Sequence, residues 1–326
     1  MNDNQTANYE LYNENCITKM WEFIDEGRKF DLMVFSPPFP RVFAYSDKID
    51  DLSNAIGSDD EFLLAYQFVA NSLAKLIKPG RLVCVHIQQI QRRKSTYGHL
   101  GLYDIRGWLI RKMEEAGFIY YNDIAIPKNP QAQSIRNNVL QLQFTQWERD
   151  STVSRPSLAD YLLLFKLPGT KSEIPVKPLE NGLNRDMWIE WAENTWLTSY
   201  PDLEIPMPKN IWSGIDETLT LNSKRGSKKY LGEGFKPANT KFEGDEIHLC
   251  PLQLDLVERC ILLWSNPGET VFTPFAGIGT EMVVPLAHGR NAVGCELNPN
   301  YSEEANRNCI GAINFQHSKD QNILFV

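Results

Sequence analysis

Long apolar runs are missing from this 326-residue chain, and nothing in it approaches the eighteen or so residues of a helical membrane span. The first ten residues, MNDNQTANYE, are polar and have neither the basic nor the apolar region of a signal peptide. A soluble, cytoplasmic protein with no membrane partner is expected. Cysteine is sparse and scattered: the six, at 16, 84, 250, 260, 295 and 309, form no C-x-x-C and offer no zinc spacing, so reduced thiols and no metal site are expected. Positive charge is also short. With 33 Lys+Arg against 41 Asp+Glu the formal net charge is −8, which excludes a protein basic all over, such as a histone-like coat. It leaves room for a protein that grips DNA through local basic loops. There is no internal repeat and no long low-complexity segment.

What is present is an ordinary globular composition, 42% hydrophobic and 23% charged, in a chain long enough for one large domain or two modest ones. The run DLMVF from Asp31 reads as a buried strand, and Ser36-Pro37-Pro38 stops it, because proline has no N–H to continue pairing. Apolar residues at helical spacing over 59–77 end at Pro79-Gly80, and RLVCVHI follows as a second buried strand. A helix over 104–116, a strand FIYYNDIAI and a strand YLLLFKL continue the alternation. After residues 168–245, which are irregular and rich in proline and tryptophan, a helix at 251–264, a strand near ETVFTPF, a helix at 281–287, a strand NAVGCEL and a helix from Asn300 resume it. Strands alternating with helices predict an α/β fold with a largely parallel sheet.

Two loops have the chemistry for a site. PFAGIGTE follows a strand and opens a helix, so Gly277 and Gly279 would let backbone approach a ligand at a helix N-terminus. Glu296 ends the next strand, seventeen positions after Gly279, where a carboxylate accepts hydrogen bonds from both hydroxyls of a ribose. The second loop is Ser36-Pro37-Pro38-Phe39. An exocyclic amine on a nucleobase is a poor nucleophile because its lone pair is delocalised into the ring. A hydroxyl and a backbone carbonyl accepting its two N–H groups would draw the nitrogen toward tetrahedral geometry, and Phe39 could stack on a base lifted from the helix. Positioning against an electrophilic methyl group would supply most of the rate. Taken without its neighbours, a Pro-Pro pair after a strand is more often a rigid turn.

Read together, the two loops resemble the DNA amino-methyltransferases of the circularly permuted β group. DLMVFSPPF is similar to their catalytic motif, (D/N/S)-P-P-(Y/F) after an apolar strand, and ETVFTPFAGIGTE with HGRNAVGCELNPNYSEEA is similar to their cofactor region. IKPGRLVCVHI, AGFIYYNDIAIPKNP and IHLCPLQLDLVERCI resemble further segments of the group, in the same order. The resemblance implies a Rossmann-like, S-adenosylmethionine-dependent methyltransferase fold, α/β, with a mixed, mostly parallel sheet. Residues 1–167 would form the catalytic half, 168–245 an irregular target-recognition insert, and 246–326 the cofactor-binding half. It implies that Ser36, Pro37, Pro38 and Phe39 are catalytic. Asn15, His248, Pro251, Thr273, Pro274, Phe275, Ala276, Gly277, Gly279, Thr280, Glu296 and Leu297 would bind the cofactor. Three departures stand out: Thr273 replaces the usual Asp of D-P-F, Leu252-Gln253 replace Lys-Pro, and Asn15 sits where the group often has Asp.

Serine at the first motif position goes mainly with cytosine N4 in the group, so cytosine N4 is favoured and adenine N6 is the alternative. Cytosine C5 methylation needs a cysteine beside the proline loop, and Cys16 and Cys84 lie in no such loop. Double-stranded DNA is the implied partner, together with a cognate restriction nuclease, and monomer and homodimer stay open. Arg92, Arg93 and Lys94, and Lys224, Arg225, Lys228 and Lys229 in the insert, are the basic residues expected to meet DNA. Trp188, Trp191, Trp196 and Trp212 read as core more than as base contacts. His86 reads as a satisfied core histidine and stands outside the expected site. Rival readings are a methyltransferase acting on protein or RNA, a non-catalytic DNA-binding protein, and an NAD-dependent oxidoreductase, the last disfavoured because G-x-G-x-x-G is absent.

Overall fold

The computed structural model describes residues 7–38, 52, 59–92, 98–99, 101–130, 144–153, 158–168, 171–196, 198–199, 215–239 and 251–323. Its strands are β1 (Tyr9–Tyr12), β2 (Leu32–Phe35), β3 (Leu82–Gln88), β4 (Ile90–Arg92), β5 (Gly101–Tyr103), β6 (Ile119–Ile126), β7 (Asp160–Lys166), β8 (Thr198–Ser199), β9 (Ile215–Asp216), β10 (Thr270–Thr273) and β11 (Asn291–Cys295). Its helices are α1 (Cys16–Asp25), α2 (Asp59–Leu76), α3 (Ile105–Glu115), α4 (Phe144–Trp147), α5 (Arg185–Trp191), α6 (Lys224–Leu231), α7 (Leu254–Trp264), α8 (Thr280–Ala287) and α9 (Pro299–Ile323). The helices expected at 59–77, 104–116 and 251–264 are therefore α2, α3 and α7, to within three residues at each end.

Seven strands form one sheet in the order β1-β11-β10-β2-β3-β7-β6. The pairs from β1 to β3 are parallel, and only β7 runs against its neighbours. The fold is thus α/β with a mixed, mostly parallel sheet, as expected. Side chains alternate between the faces of a strand. Leu32, Val34, Cys84, Leu162 and Leu164 therefore pack on one side with the buried residues of α7 and α8. Met33, Phe35, Val83, Val85, Leu163 and Phe165 pack on the other with those of α1, α2 and α3. Burial on both faces explains why β2 reads as an unbroken apolar run, and each such side chain stabilises the fold by about 1.5–3 kcal/mol.

The described part of 168–245 has more regular structure than its sequence suggests: it contains α5, α6, β8 and β9, and Trp196, Ile215, Leu219, Leu221 and Tyr230 join the first of the two cores. Helix α6 lacks a periodic run, yet Ser223 caps it by accepting the Gly226 N–H at 3.1 Å. A Cβ at Gly226 would come within 2.1 Å of the Thr220 carbonyl oxygen, so only glycine lets the helix dock there. Trp196 is fully buried and stacks on Trp264, and Trp191 packs against the same core. Trp188 is half exposed, and Trp212 lies outside the described residues.

Candidate active site

Parallel strands bring their C-terminal ends to one edge of the sheet, the edge at which α/β folds bind ligands. At that edge Ser36 follows β2, Pro274 follows β10 and Glu296 follows β11. They line a single cleft enclosing about 990 Å³ out to its open mouth. Of the residues expected to be catalytic, Ser36, Pro37 and Pro38 line it. Of those expected to bind the cofactor, Asn15, Pro251, Pro274, Phe275, Ala276, Gly277, Thr280, Glu296 and Leu297 line it too. The structure therefore gathers most of the residues expected from sequence, although they are as far apart as 15 and 297. Phe39, His248, Arg93 and Lys94 lie outside the described residues.

The glycine loop is held in shape by Glu296. Its Oε2 accepts the Gly277 N–H at 2.7 Å and its Oε1 accepts the Asn298 N–H at 2.8 Å. Gly279, with φ of 94°, turns the chain into α8, and a Cβ there would meet Ala305 at 3.2 Å. Thr273 and Gly279 are not among the cleft-lining residues and support the loop from behind. Thr273 is buried, with its Oγ1 accepting from the Phe275 N–H at 3.4 Å. Asn15 lines the cleft while capping α1, its side chain accepting the Ile17 N–H at 2.8 Å. The Thr280 hydroxyl is buried with no hydrogen-bond partner among the described residues.

Two acids of the cleft differ in kind. Glu296 is tied to backbone N–H groups, whereas Glu281, in the first turn of α8, is almost fully buried. Burial, reinforced by the charge of Glu296, pushes the Glu281 carboxyl up to about 8 from 4.5. Glu281 and Ser36 line the same cleft.

His86 is buried and hydrogen-bonded, as expected of a satisfied core histidine, and it also stands next to the proline loop: its Nδ1 lies 3.4 Å from Ser36 Oγ and its Nε2 lies 3.1 Å from Asp160 Oδ2. The register explains why. Phe35 pairs with Val85, so Ser36 and His86 stand level on one face, and Asp160 is diagonal to His86 across the antiparallel β3–β7 pair. Asp160 also accepts from Gln88 Nε2 at 2.7 Å and from Lys128 Nζ at 2.6 Å. Lys128 pairs in turn with Glu217. Burial would raise the Asp160 carboxyl, but Lys128 and His86 hold it below the ordinary aspartate value. Burial raises Glu217, despite Lys128. The sequence signal was a polar residue near the end of a buried strand, and its partners depend on strand order.

The basic residues are largely spoken for. Arg225 pairs with Asp216 at 2.6 Å, Lys228 with Glu233 at 2.5 Å, and Lys229 with Glu258 at 2.8 Å and Asp255 at 3.1 Å. Lys224 is exposed, and Arg92 lies over the Tyr103 ring, 5.9 Å from its centroid.

Comparison with known proteins fits this arrangement. A family model described as DNA methylase, covering N6 and N4 enzymes, matches residues 30–307. The chain belongs to that family. M1.MboII of Moraxella bovis, a type II methyltransferase, is 42% identical over 90 residues, 28% of this chain and 31% of that protein. M.BglI of Bacillus subtilis, another type II methyltransferase, is 26% identical over 294 residues, 85% of this chain and 65% of that one. The chain thus spans between about a third and two thirds of the length of these relatives. Among solved structures, TTHA0409 of Thermus thermophilus, assigned as a DNA modification methylase and complexed with S-adenosyl-L-methionine, superposes with a TM-score of 0.58. Identity is 17%, with 93% of this chain and 94% of that one covered. The cytosine-N4-specific PvuII DNA methyltransferase gives a TM-score of 0.56 at 16% identity, covering 93% and 86%. At these identities the two structures establish a shared fold.

Proposed function

We propose that this methylase-family chain transfers a methyl group from S-adenosylmethionine to an exocyclic amine of a base in double-stranded DNA, cytosine N4 first and adenine N6 as the alternative. The observation that carries this reading is the shared cleft, in which Ser36-Pro37-Pro38 meets the glycine loop and Glu296.

The residues present fit the cofactor. The Glu296 oxygens accept the Gly277 and Asn298 N–H groups, which fixes the carboxylate at the cleft wall, where it would also meet ribose hydroxyls. The orphaned Thr280 hydroxyl offers a further polar contact at the N-terminus of α8. When bound, the cofactor supplies an electrophilic methyl on a sulfonium. Ser36 Oγ and the Pro37 carbonyl would accept the two N–H groups of the target amine and hold its lone pair toward that methyl. The thiols of the cleft are disfavoured as nucleophiles. Burial pushes Cys16 up to about 12 and raises Cys295 well above the ordinary thiol value, so both stay protonated at neutral pH, which disfavours C5 chemistry.

Arg92, Arg93, Lys94 and Lys224 belong to the proposed DNA-facing surface. Arg225, Lys228 and Lys229 join it: Lys228 can exchange the exposed Glu233 for a phosphate, since an exposed ion pair is worth only about 0–1 kcal/mol, whereas Arg225 and Lys229 would keep their more buried acids and add their charge to the surface. The type II relatives support a restriction–modification setting with a cognate nuclease. Among the described residues no helix is long and apolar enough to cross a membrane. Modified-base detection on DNA from cells expressing the protein tests the reading. N4-methylcytosine is expected, N6-methyladenine selects the alternative, and DNA without either base refutes it.

A further inference from the structure

We propose that His86 receives, through the Ser36 hydroxyl, the proton that the methylated amine must shed, with Asp160 and Lys128 as its positioning residues. The inference rests on the reading above and adds to it a route for the proton.

An exocyclic amine gains a positive charge when its lone pair forms the bond to the methyl carbon and the old carbon–sulfur pair returns to sulfur. One N–H proton must then leave. Ser36 cannot keep it, because a hydroxyl that accepts a proton must release its own. His86 Nδ1 is within 3.4 Å of that hydroxyl, at the long end of hydrogen bonding, as unliganded sites often show. The nitrogen proton passes to Ser36 Oγ while the serine O–H proton passes to Nδ1. The amine ends neutral, the serine is unchanged, and the histidine becomes an imidazolium that returns its proton to solvent.

Three features of the surroundings suit His86 to this role. Asp160 is held ionised and so only accepts, which places the histidine proton on Nε2 and leaves Nδ1 free to accept. Asp160 cannot rotate away, because Gln88 holds Oδ1 at 2.7 Å while Lys128 holds Oδ2 at 2.6 Å. The charged groups facing the imidazole from neighbouring elements are Asp160 on β7, Lys128 after β6 and Glu217 after β9. With both acids ionised these sum to one negative charge, and an imidazolium would neutralise it. Cys84, further along the same face of β3, is a buried thiol raised by burial and by Cys260, and it contributes no charge. The order Ser36–His86–Asp160 is that of a hydroxyl activated by a base and oriented by an acid, used here to export a proton.

The test is the single-turnover methylation rate of duplex DNA from pH 5 to 9 for the wild type and His86→Asn, with S-adenosylmethionine binding measured by calorimetry. The wild-type rate should fall about tenfold per pH unit on the acid side. In His86→Asn the plateau should drop by about 10²-fold and the acid limb should flatten, with cofactor affinity within about twofold of wild type. A variant that keeps the acid limb, or loses rate only through weaker cofactor binding, overturns the relay. Should His86→Asn fail to fold, nitrogen-15 NMR of the wild-type imidazoles decides. A neutral His86 protonated on Nε2 supports the relay, and one protonated on Nδ1 overturns it. A wild type that methylates no DNA at any pH refutes the underlying reading instead.

Discussion

Replacing Glu281 with glutamine should make the protein more stable as pH rises, although the substitution removes a hydrogen-bonded carboxylate. In the folded chain burial pushes this carboxyl up to about 8, against 4.5 for the exposed group. Between those values the folded state keeps the proton and the unfolded state has released it. The unfolded chain therefore binds fewer protons, and stability falls with rising pH. The slope from this one group is about 1.4 kcal/mol per pH unit, and the whole window amounts to roughly 5 kcal/mol. Below the window both states are protonated and the group is neutral to stability. Glutamine has the same shape, no charge and a carbonyl oxygen that still accepts hydrogen bonds, so it removes the penalty and little else. Urea unfolding of both proteins at each unit from pH 4 to 9 reads the difference directly, because every other titrating group is common to the pair. The glutamine variant should match or fall slightly below wild type at pH 4–5 and exceed it by several kcal/mol at pH 8–9. Parallel stability curves, or a variant that loses ground as pH rises, would show that Glu281 is not the buried neutral acid described here.

Other outcomes follow from the same geometry. Ser36→Ala should lower turnover by about 10²-fold while calorimetry finds cofactor affinity within twofold of wild type, and unchanged turnover would remove Ser36 from the reaction. Glu296→Gln keeps the loop contact to Gly277 but weakens charge-assisted bonds to the ribose, so the cofactor Kd should rise about 10–100-fold; an unchanged Kd would contradict the assignment. Lys128→Ala leaves Asp160 and Glu217 buried without their cation and should cost about 3–5 kcal/mol at pH 7. The cost should shrink toward pH 5, where protonation relieves the unpaired acids, and thermal melts at the two pH values would expose a pH-independent loss.

Much of this site could be read from the sequence because its key residues sit on strand ends with local signatures. A strand that halts at Ser36-Pro37-Pro38, and one that opens a glycine turn before Thr280, announce themselves through proline, glycine and periodicity. The pairing of Glu296 with Gly277 also lay within reach, since a strand–turn–helix–strand unit fixes it. Residues whose roles depend on neighbours brought in by sheet order were not legible. His86 and Asp160 lie 74 positions apart, and Lys128 and Glu217 lie 89 apart. Glu281 looks like an ordinary first-turn acid, favourable to the helix dipole, until burial is known. Residues 168–245 hid their helices for another reason: α6 is short and charged, and docks on the small face of Gly226, Ser227, Tyr230 and Leu231, too few apolar positions to show as a periodic run.

The most direct measurement is transfer of label from methyl-tritiated S-adenosylmethionine by the purified protein, offered duplex DNA, RNA and bulk protein in parallel. Label should appear in the DNA, on an exocyclic amine after digestion to nucleosides, and its rate of transfer should fall about 10²-fold with Ser36→Ala. Label confined to RNA or protein, or none in any acceptor while the cofactor is bound, would contradict DNA amine methylation.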